Sequence, residues 1–391
     1  MKQSADIAPL DLWQTVSRLN RPAERRPDFA RFERVLSRRE PGPVPFGDLF
    51  ADRETVATFL KQPAPAHWGL DADPDEPITP ALFQDGLRLV DQTIQFCLQN
   101  DWDYVWCFSS IPFPGSMFQP AESPSAEGEG GKRYWVDDNQ GPVGTWDDFE
   151  RYPWPTDVLR INFLPRVTAR RVPEGMKVMI IPGGVFEWTT WLMGLVPFCY
   201  ALADQPDLVD AVIERVSDTI YRVVDDLVDE PYVGGVFMGD DLGYASGTLV
   251  SPRILRQKFL PQTKRIVDRV RGAGKLFILH TCGNVYTIMA DLIDLGIHAK
   301  HSFEDKILPV EEVYRRWGDR LALVGGVDVH LLTSGSEAEV RHRTREILEV
   351  CGKGGGYVLG TGNSVANYIP LHNYLAMLDE GRRWNREHFG E

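Results

Sequence analysis

Lys275-Leu-Phe-Ile-Leu-His280-Thr-Cys282-Gly-Asn284 is the stretch on which the reading of this chain turns. Its first half is a short apolar run, the pattern of a strand buried on both faces of a parallel sheet. Its end carries an imidazole and a thiol two residues apart. Side chains i and i+2 of a strand point to one side, so His280 and Cys282 can aim at one point. Gly283 and Asn284 turn the chain into Val285, Ile288, Met289, Leu292 and Ile293, which have helical spacing. Imidazole and thiolate are ligand types that zinc prefers. A buried Cys beside a hydrogen-bonded His is the plainer alternative for the pair alone.

Working outward, strand and helix patterns alternate on both sides of this stretch. A first strand, entered through proline, is expected near Val44–Phe46, followed by Asp48. The others are expected at Tyr104–Phe108, Lys177–Ile181, Gly234–Met238, Lys275–His280, Ile297–His301, Leu321–Val324 and Gly356–Leu359. Eight strands each followed by helical sequence predict an α/β chain folded as one (β/α)8 TIM barrel over 1–391. A doubly wound open sheet is the alternative. Polar residues recur where strands end: Ser109, Glu187, Asp240, Asp241, His280, Cys282, His301, Glu304, Asp328 and Asn363. Barrel enzymes keep their chemistry at that face. Residues 1–27 read as an N-terminal arm or extension. Residues 111–157 read as a long aromatic-rich insertion after the second strand, covering the active-site face or making a subunit contact, with a mobile tip at Ser123–Gly131.

Bulk properties narrow the function. A formal net charge of -14 argues against non-specific binding to nucleic acid or an anionic membrane. The most apolar stretch, Leu192–Leu202, is short and interrupted by Pro197, so no membrane span is expected. Five scattered cysteines form no dense disulfide framework, and the N-terminus has no apolar signal core, so a cytoplasmic location is expected. Cys97, Cys107 and Cys199 sit in apolar surroundings and read as core.

Glu304 follows Cys282 by one strand–helix unit. In a closed barrel His280, Cys282 and Glu304 can converge as three metal ligands, leaving a fourth place open as in catalytic zinc sites. Asp240 and Asp241 are candidates for acid catalysis, substrate anchoring or an extra ligand; capping the next turn is the alternative. Glu187, set among apolar residues, is a candidate for a raised pKa. His301 reads as a group that orients a ligand or touches substrate. Ser109, Trp188 and Asn363 are candidate substrate contacts.

The blocks His280-x-Cys282-Gly-Asn284, Gly239-Asp-Asp-Leu-Gly243, Gly325-Gly-Val-Asp328 and Gly360-Thr-Gly-Asn363…Pro370 resemble those of the uroporphyrinogen decarboxylase superfamily. Arg31-Phe-Glu-Arg-Val-Leu36…Glu40-Pro…Val44-Pro45 is similar to its N-terminus. The resemblance runs from about residue 29 to 385. The arginines and the second-strand Asp that hold a porphyrin in the decarboxylase proper are missing here. What remains resembles the branch of zinc- and corrinoid-dependent methyltransferases. That branch implies zinc on His280, Cys282 and Glu304, a corrinoid (cobalamin) on a partner protein as methyl donor or acceptor, a small methylated substrate (ether, thiol or amine), and a homodimer. The family's last cysteine ligand is replaced by Asn363. A metal-independent decarboxylase or lyase acting on another substrate is the alternative implied.

Overall fold

The computed structural model describes residues 26–37, 41–65, 79–115, 118–122 and 132–390. The expected arm falls almost wholly outside these residues, as does the expected mobile tip at Ser123–Gly131.

Eleven strands are found among the described residues: β1 Tyr104–Phe108, β2 Phe118–Glu122, β3 Lys132–Val136, β4 Lys177–Ile181, β5 Val233–Gly239, β6 Gly243–Tyr244, β7 Gly247–Thr248, β8 Leu276–His280, β9 Ala299–His301, β10 Ala322–Val324 and β11 Tyr357–Val358. Seven of them form one parallel sheet in the order β1-β4-β5-β8-β9-β10-β11. The expected second to eighth strands are all present in this sheet. β2–β3 and β6–β7 are separate two-stranded antiparallel ribbons. Long helices such as Pro206–Val228, Leu260–Gly272, Glu337–Cys351 and Leu371–Phe389 lie between or after the strands. Their apolar stripes, for example Leu208, Val212, Val216, Ile220 and Val223, are buried, which is what allows a parallel sheet of continuous apolar strands to be covered.

The expected first strand is reduced to one residue. Phe46 makes parallel bridges to Trp102 on one side and to Leu359 on the other, so it touches both edges of the sheet. Pro43 and Pro45 explain the brevity, since neither can donate to a ladder. The Pro45 carbonyl still accepts from Leu359 N at 2.9 Å, and Gly47 N donates to Leu359 O at 3.0 Å. Gly47 is required by close approach: a Cβ there would meet the Tyr104 hydroxyl at 2.6 Å.

Two expectations about the apolar stretch after β4 are corrected. The break in it falls at Gly194, where φ is +75° and the helix Val185–Met193 gives way to Leu195–Asp204 at 91°. Pro197 lies in the first turn of the second helix, where a missing N–H costs nothing. Cys199 is exposed rather than core, because that helix buries only Phe198 and Ala201. Cys97, Cys107 and Cys351 are buried. No single described helix is long and apolar enough to cross a membrane, although the bent pair Val185–Met193 and Leu195–Asp204 passes by length and composition.

The described part of the insertion is packed. Val143 N donates to Leu192 O at 2.9 Å and Val196 N to Asp138 O at 2.8 Å, which fastens it across the Gly194 bend. Phe113 lies against Trp188, with ring centroids 4.8 Å apart, and Tyr152, Phe149 and Trp154 form a cluster beside it.

Candidate metal centre

β8 and β9 pair in register so that His280 stands opposite His301, with Gly239 of β5 on the other side of His280. All three positions are therefore in one layer across the sheet. Gly283 follows at φ +75°, and a Cβ there would come within 2.4 Å of the Gly243 backbone. Only glycine lets this loop pass so close to the β5 loop, and that passage brings Asp241 to Cys282. Asp241 Oδ1 accepts from Cys282 N at 2.8 Å.

Three potential ligand atoms converge here. His280 Nε2 lies 3.3 Å from Cys282 Sγ and 3.5 Å from Asp241 Oδ1. Asp241, His280 and Cys282 are the only His, Cys, Asp or Glu group among the described residues whose ligand atoms all lie within 4.8 Å of one another. Tetrahedral zinc with ordinary bond lengths separates its ligands by roughly 3.3–3.6 Å. The two edges from His280 Nε2 match that spacing, and the Cys282–Asp241 edge lies within 4.8 Å. Burial lowers the pKa of His280, so its imidazole is neutral and able to ligate at neutral pH. Burial, and then the Asp241 charge, pushes the Cys282 thiol well up. A free thiol is thus kept protonated unless a cation takes its charge.

The rest of the shell is specific. Asn363 Nδ2 donates to Cys282 Sγ at 3.2 Å, and its Oδ1 accepts from Ser364 N at 2.8 Å. Ser302 Oγ lies 3.5 Å from the same sulfur. Ser302 has φ +78°, a conformation that non-glycine residues seldom adopt, and it turns the chain directly after β9. Lys300, fully buried, donates to the carbonyls of Thr281, His301 and Ser302 at 3.2, 3.2 and 2.6 Å, tying the ends of β8 and β9 together. Burial brings its pKa down to about 8.

Glu304 stands apart from the converging group. It is exposed, and its Oε1 accepts from Gly283 N at 3.2 Å. Asp241 occupies the place in the group that the sequence reading gave to Glu304. The turn at Ser302 is what carries Glu304 to the rim.

Asp240 is buried, and its two oxygens accept from Glu187 N at 2.9 Å and Phe186 N at 3.3 Å. It caps the N-terminus of the Val185–Met193 helix from a neighbouring strand. Burial raises its pKa to about 7 against those hydrogen bonds. Glu187 is half-buried; desolvation and the charges of Asp241 and Asp240 raise its pKa well above the ordinary value. Ser109 is buried and donates to Asn162 Oδ1 at 2.9 Å. Trp188 is buried, with its Nε1 donating to Pro182 O at 3.3 Å and Trp191 edge-on against it. These two side chains are built into the wall. His301 is also fully buried and touches His280 rather than open space.

Asp48 is a residue of the site that sequence reasoning placed only as the follower of a strand. It is buried, its Oδ1 accepts from Thr361 N at 3.0 Å and Thr361 Oγ1 at 2.9 Å, and it lies 3.3 Å from His301 Nε2. No local signal marks it, because its partners are more than 250 residues away in the chain.

The chain belongs to the uroporphyrinogen decarboxylase (URO-D) family, whose model matches residues 140–384. Within that family it is similar to the methylcobamide:CoM methyltransferase MtaA of Methanosarcina barkeri, at 28% identity over 231 residues. That match spans 57% of this chain and 65% of the relative, a little under two thirds of its length. A uroporphyrinogen decarboxylase of Coxiella burnetii is 26% identical over 136 residues, covering 34% of this chain and 37% of the relative. Among solved structures, a methyltransferase from Methanosarcina mazei superposes with a TM-score of 0.66 at 17% identity, covering 90% of this chain and 98% of that one. That likeness establishes a shared fold.

Proposed function

We propose that this chain is a zinc-dependent methyltransferase. It would move a methyl group between a small methylated substrate (an ether, thiol or amine) and a corrinoid protein, or between a corrinoid protein and a thiol. The observation that carries the reading is the convergence of His280 Nε2, Cys282 Sγ and Asp241 Oδ1 at the C-terminal end of the sheet. The similarity to methyltransferases supports it. Phe46, bridged to both sheet edges, supports reading the fold as a closed (β/α)8 barrel with this group at its mouth.

His280, Cys282 and Asp241 would hold the zinc, with one place left for substrate. Bound there, zinc would supply either stabilisation of a substrate thiolate or polarisation of the heteroatom that carries the methyl group. Asn363 donates to the Cys282 sulfur, which lowers that sulfur's own nucleophilicity and keeps it a ligand. Glu187, beside Asp241, has its pKa raised well above the ordinary carboxylate value by burial and then by the Asp241 and Asp240 charges, which suits it to pass a proton to a heteroatom losing its methyl group. A metal-independent decarboxylase acting through Asp240 has less support, since both oxygens of Asp240 are engaged by backbone donors. The enzyme is expected to work in the cytosol as a homodimer.

The test is methyl transfer to cob(I)alamin, free or protein-bound, followed by its visible spectrum. Alkylation of the cobalt by at least one methylated ether, thioether or amine, in the zinc-loaded unaltered chain and not in Cys282→Ala, is the expected result. No alkylation by any of the three classes would contradict the proposal.

A further inference from the structure

Two buried histidines meet through like nitrogens. His280 Nδ1 and His301 Nδ1 are 2.7 Å apart, so one must donate and the other accept. The direction is set at the far end. Asp48 Oδ1 already receives Thr361 N and Thr361 Oγ1, which makes it an acceptor, and His301 Nε2 lies 3.3 Å from it. His301 therefore carries its proton on Nε2 and presents a bare Nδ1. His280 must then carry its proton on Nδ1. That leaves the lone pair of His280 Nε2 facing Cys282 Sγ and Asp241 Oδ1.

Resting on the zinc reading above, the geometry points to Asp48 and His301 as positioning residues that fix His280 as the Nδ1–H tautomer, so that Nε2 is committed to a cation beside Cys282. The chain Asp48–His301–His280 does with an added imidazole what a single carboxylate does for many metal-bound histidines. All three side chains are buried, and His301 is also held edge-on by Phe237, at 5.3 Å between centroids. Water is thus kept from scrambling the tautomer.

The experiment reads the tautomer directly. Two-bond proton–nitrogen correlation of histidine-labelled, metal-free protein, with His280 assigned by the signal lost in His280→Gln, is expected to show Nδ1–H and a bare Nε2. Asp48→Ala removes the oxygen that fixes the His301 proton, whereas Asp48→Asn would keep its amide oxygen on the Thr361 donors and so still offer His301 an acceptor. Asp48→Ala is expected to leave His280 as a mixture of Nδ1–H and Nε2–H tautomers and to weaken zinc affinity, measured by chelator competition, by about 10- to 100-fold. His301→Phe, which keeps a ring against Phe237, is expected to weaken zinc to a similar degree with an unchanged circular dichroism spectrum. A proton on His280 Nε2 in the unaltered metal-free chain would overturn the inference even if neither variant folds. So would zinc affinity within twofold of the unaltered chain in both folded variants. If the unaltered chain binds no zinc, the zinc reading fails by itself, and the tautomer result still decides this inference.

Discussion

Cys282 shows how much one residue's surroundings decide. Alone, a half-buried thiol whose pKa is driven up by desolvation is inert. Beside a neutral imidazole at 3.3 Å, a carboxylate and an amide donor, it stands in a group that could hold a cation, the corner we propose for zinc. The His280–Cys282 pair was legible in the sequence because two residues on a strand share a side whatever the rest of the chain does. Which carboxylate would join them was less so. Glu304 and Asp241 both follow strands, and only the loop turns at Gly283 and Ser302 decide which carboxylate arrives. Asp241→Ala is therefore expected to lose at least tenfold in zinc affinity, while Glu304→Ala stays within about threefold, in the same chelator competition. The opposite order would return the ligand role to Glu304.

At the scale of elements, the helix Val185–Met193 links fold to site. Asp240 caps it from β5, and the only half-exposed residues on it are Glu187 and Trp191, one turn apart. The cap has a pH signature. Its carboxyl is raised to about 7 in the fold, against ~3.9 in an unfolded chain. The folded chain therefore binds the extra proton, and the stability this gives is complete below the unfolded pKa and lost as pH rises through about 7. Between pH 5 and 7.5 the unaltered chain is expected to lose about 2–3 kcal/mol relative to Asp240→Asn, read from the difference between their urea midpoints. A pH-independent difference would show that Asp240 is ionised throughout. The strand-end position of Asp240 was visible in sequence. Its use as a cap on a helix some 54 residues earlier was not, because a strand-end carboxylate fits capping and catalysis equally well.

At the scale of the whole molecule, alternation of apolar strands and amphipathic helices was enough to anticipate the parallel sheet, because each βα unit is recognisable from its own residues. How its two edges meet was less legible, since Phe46 lies in a proline-rich run with no strand pattern. Phe46 is buried and bridges Trp102 and Leu359, so Phe46→Ala removes packing from both edges at once. A loss of about 3–5 kcal/mol in urea unfolding is expected. A loss under 1 kcal/mol, the scale of ~1 buried methylene, would mean the edges are held elsewhere. The sheet and its helices matter to function because they place Asp48, Asp241, His280, Cys282, His301 and Asn363, drawn from five separate strand ends and loops, around one point.

That point is tested most directly by zinc K-edge X-ray absorption on the purified, zinc-loaded chain. The account predicts one tightly held zinc per chain with a single sulfur neighbour at about 2.3 Å and nitrogen or oxygen neighbours at about 2.0–2.2 Å. The sulfur contribution should be lost in Cys282→Ala. A zinc with no sulfur neighbour, or with the same sulfur contribution in Cys282→Ala, would contradict it.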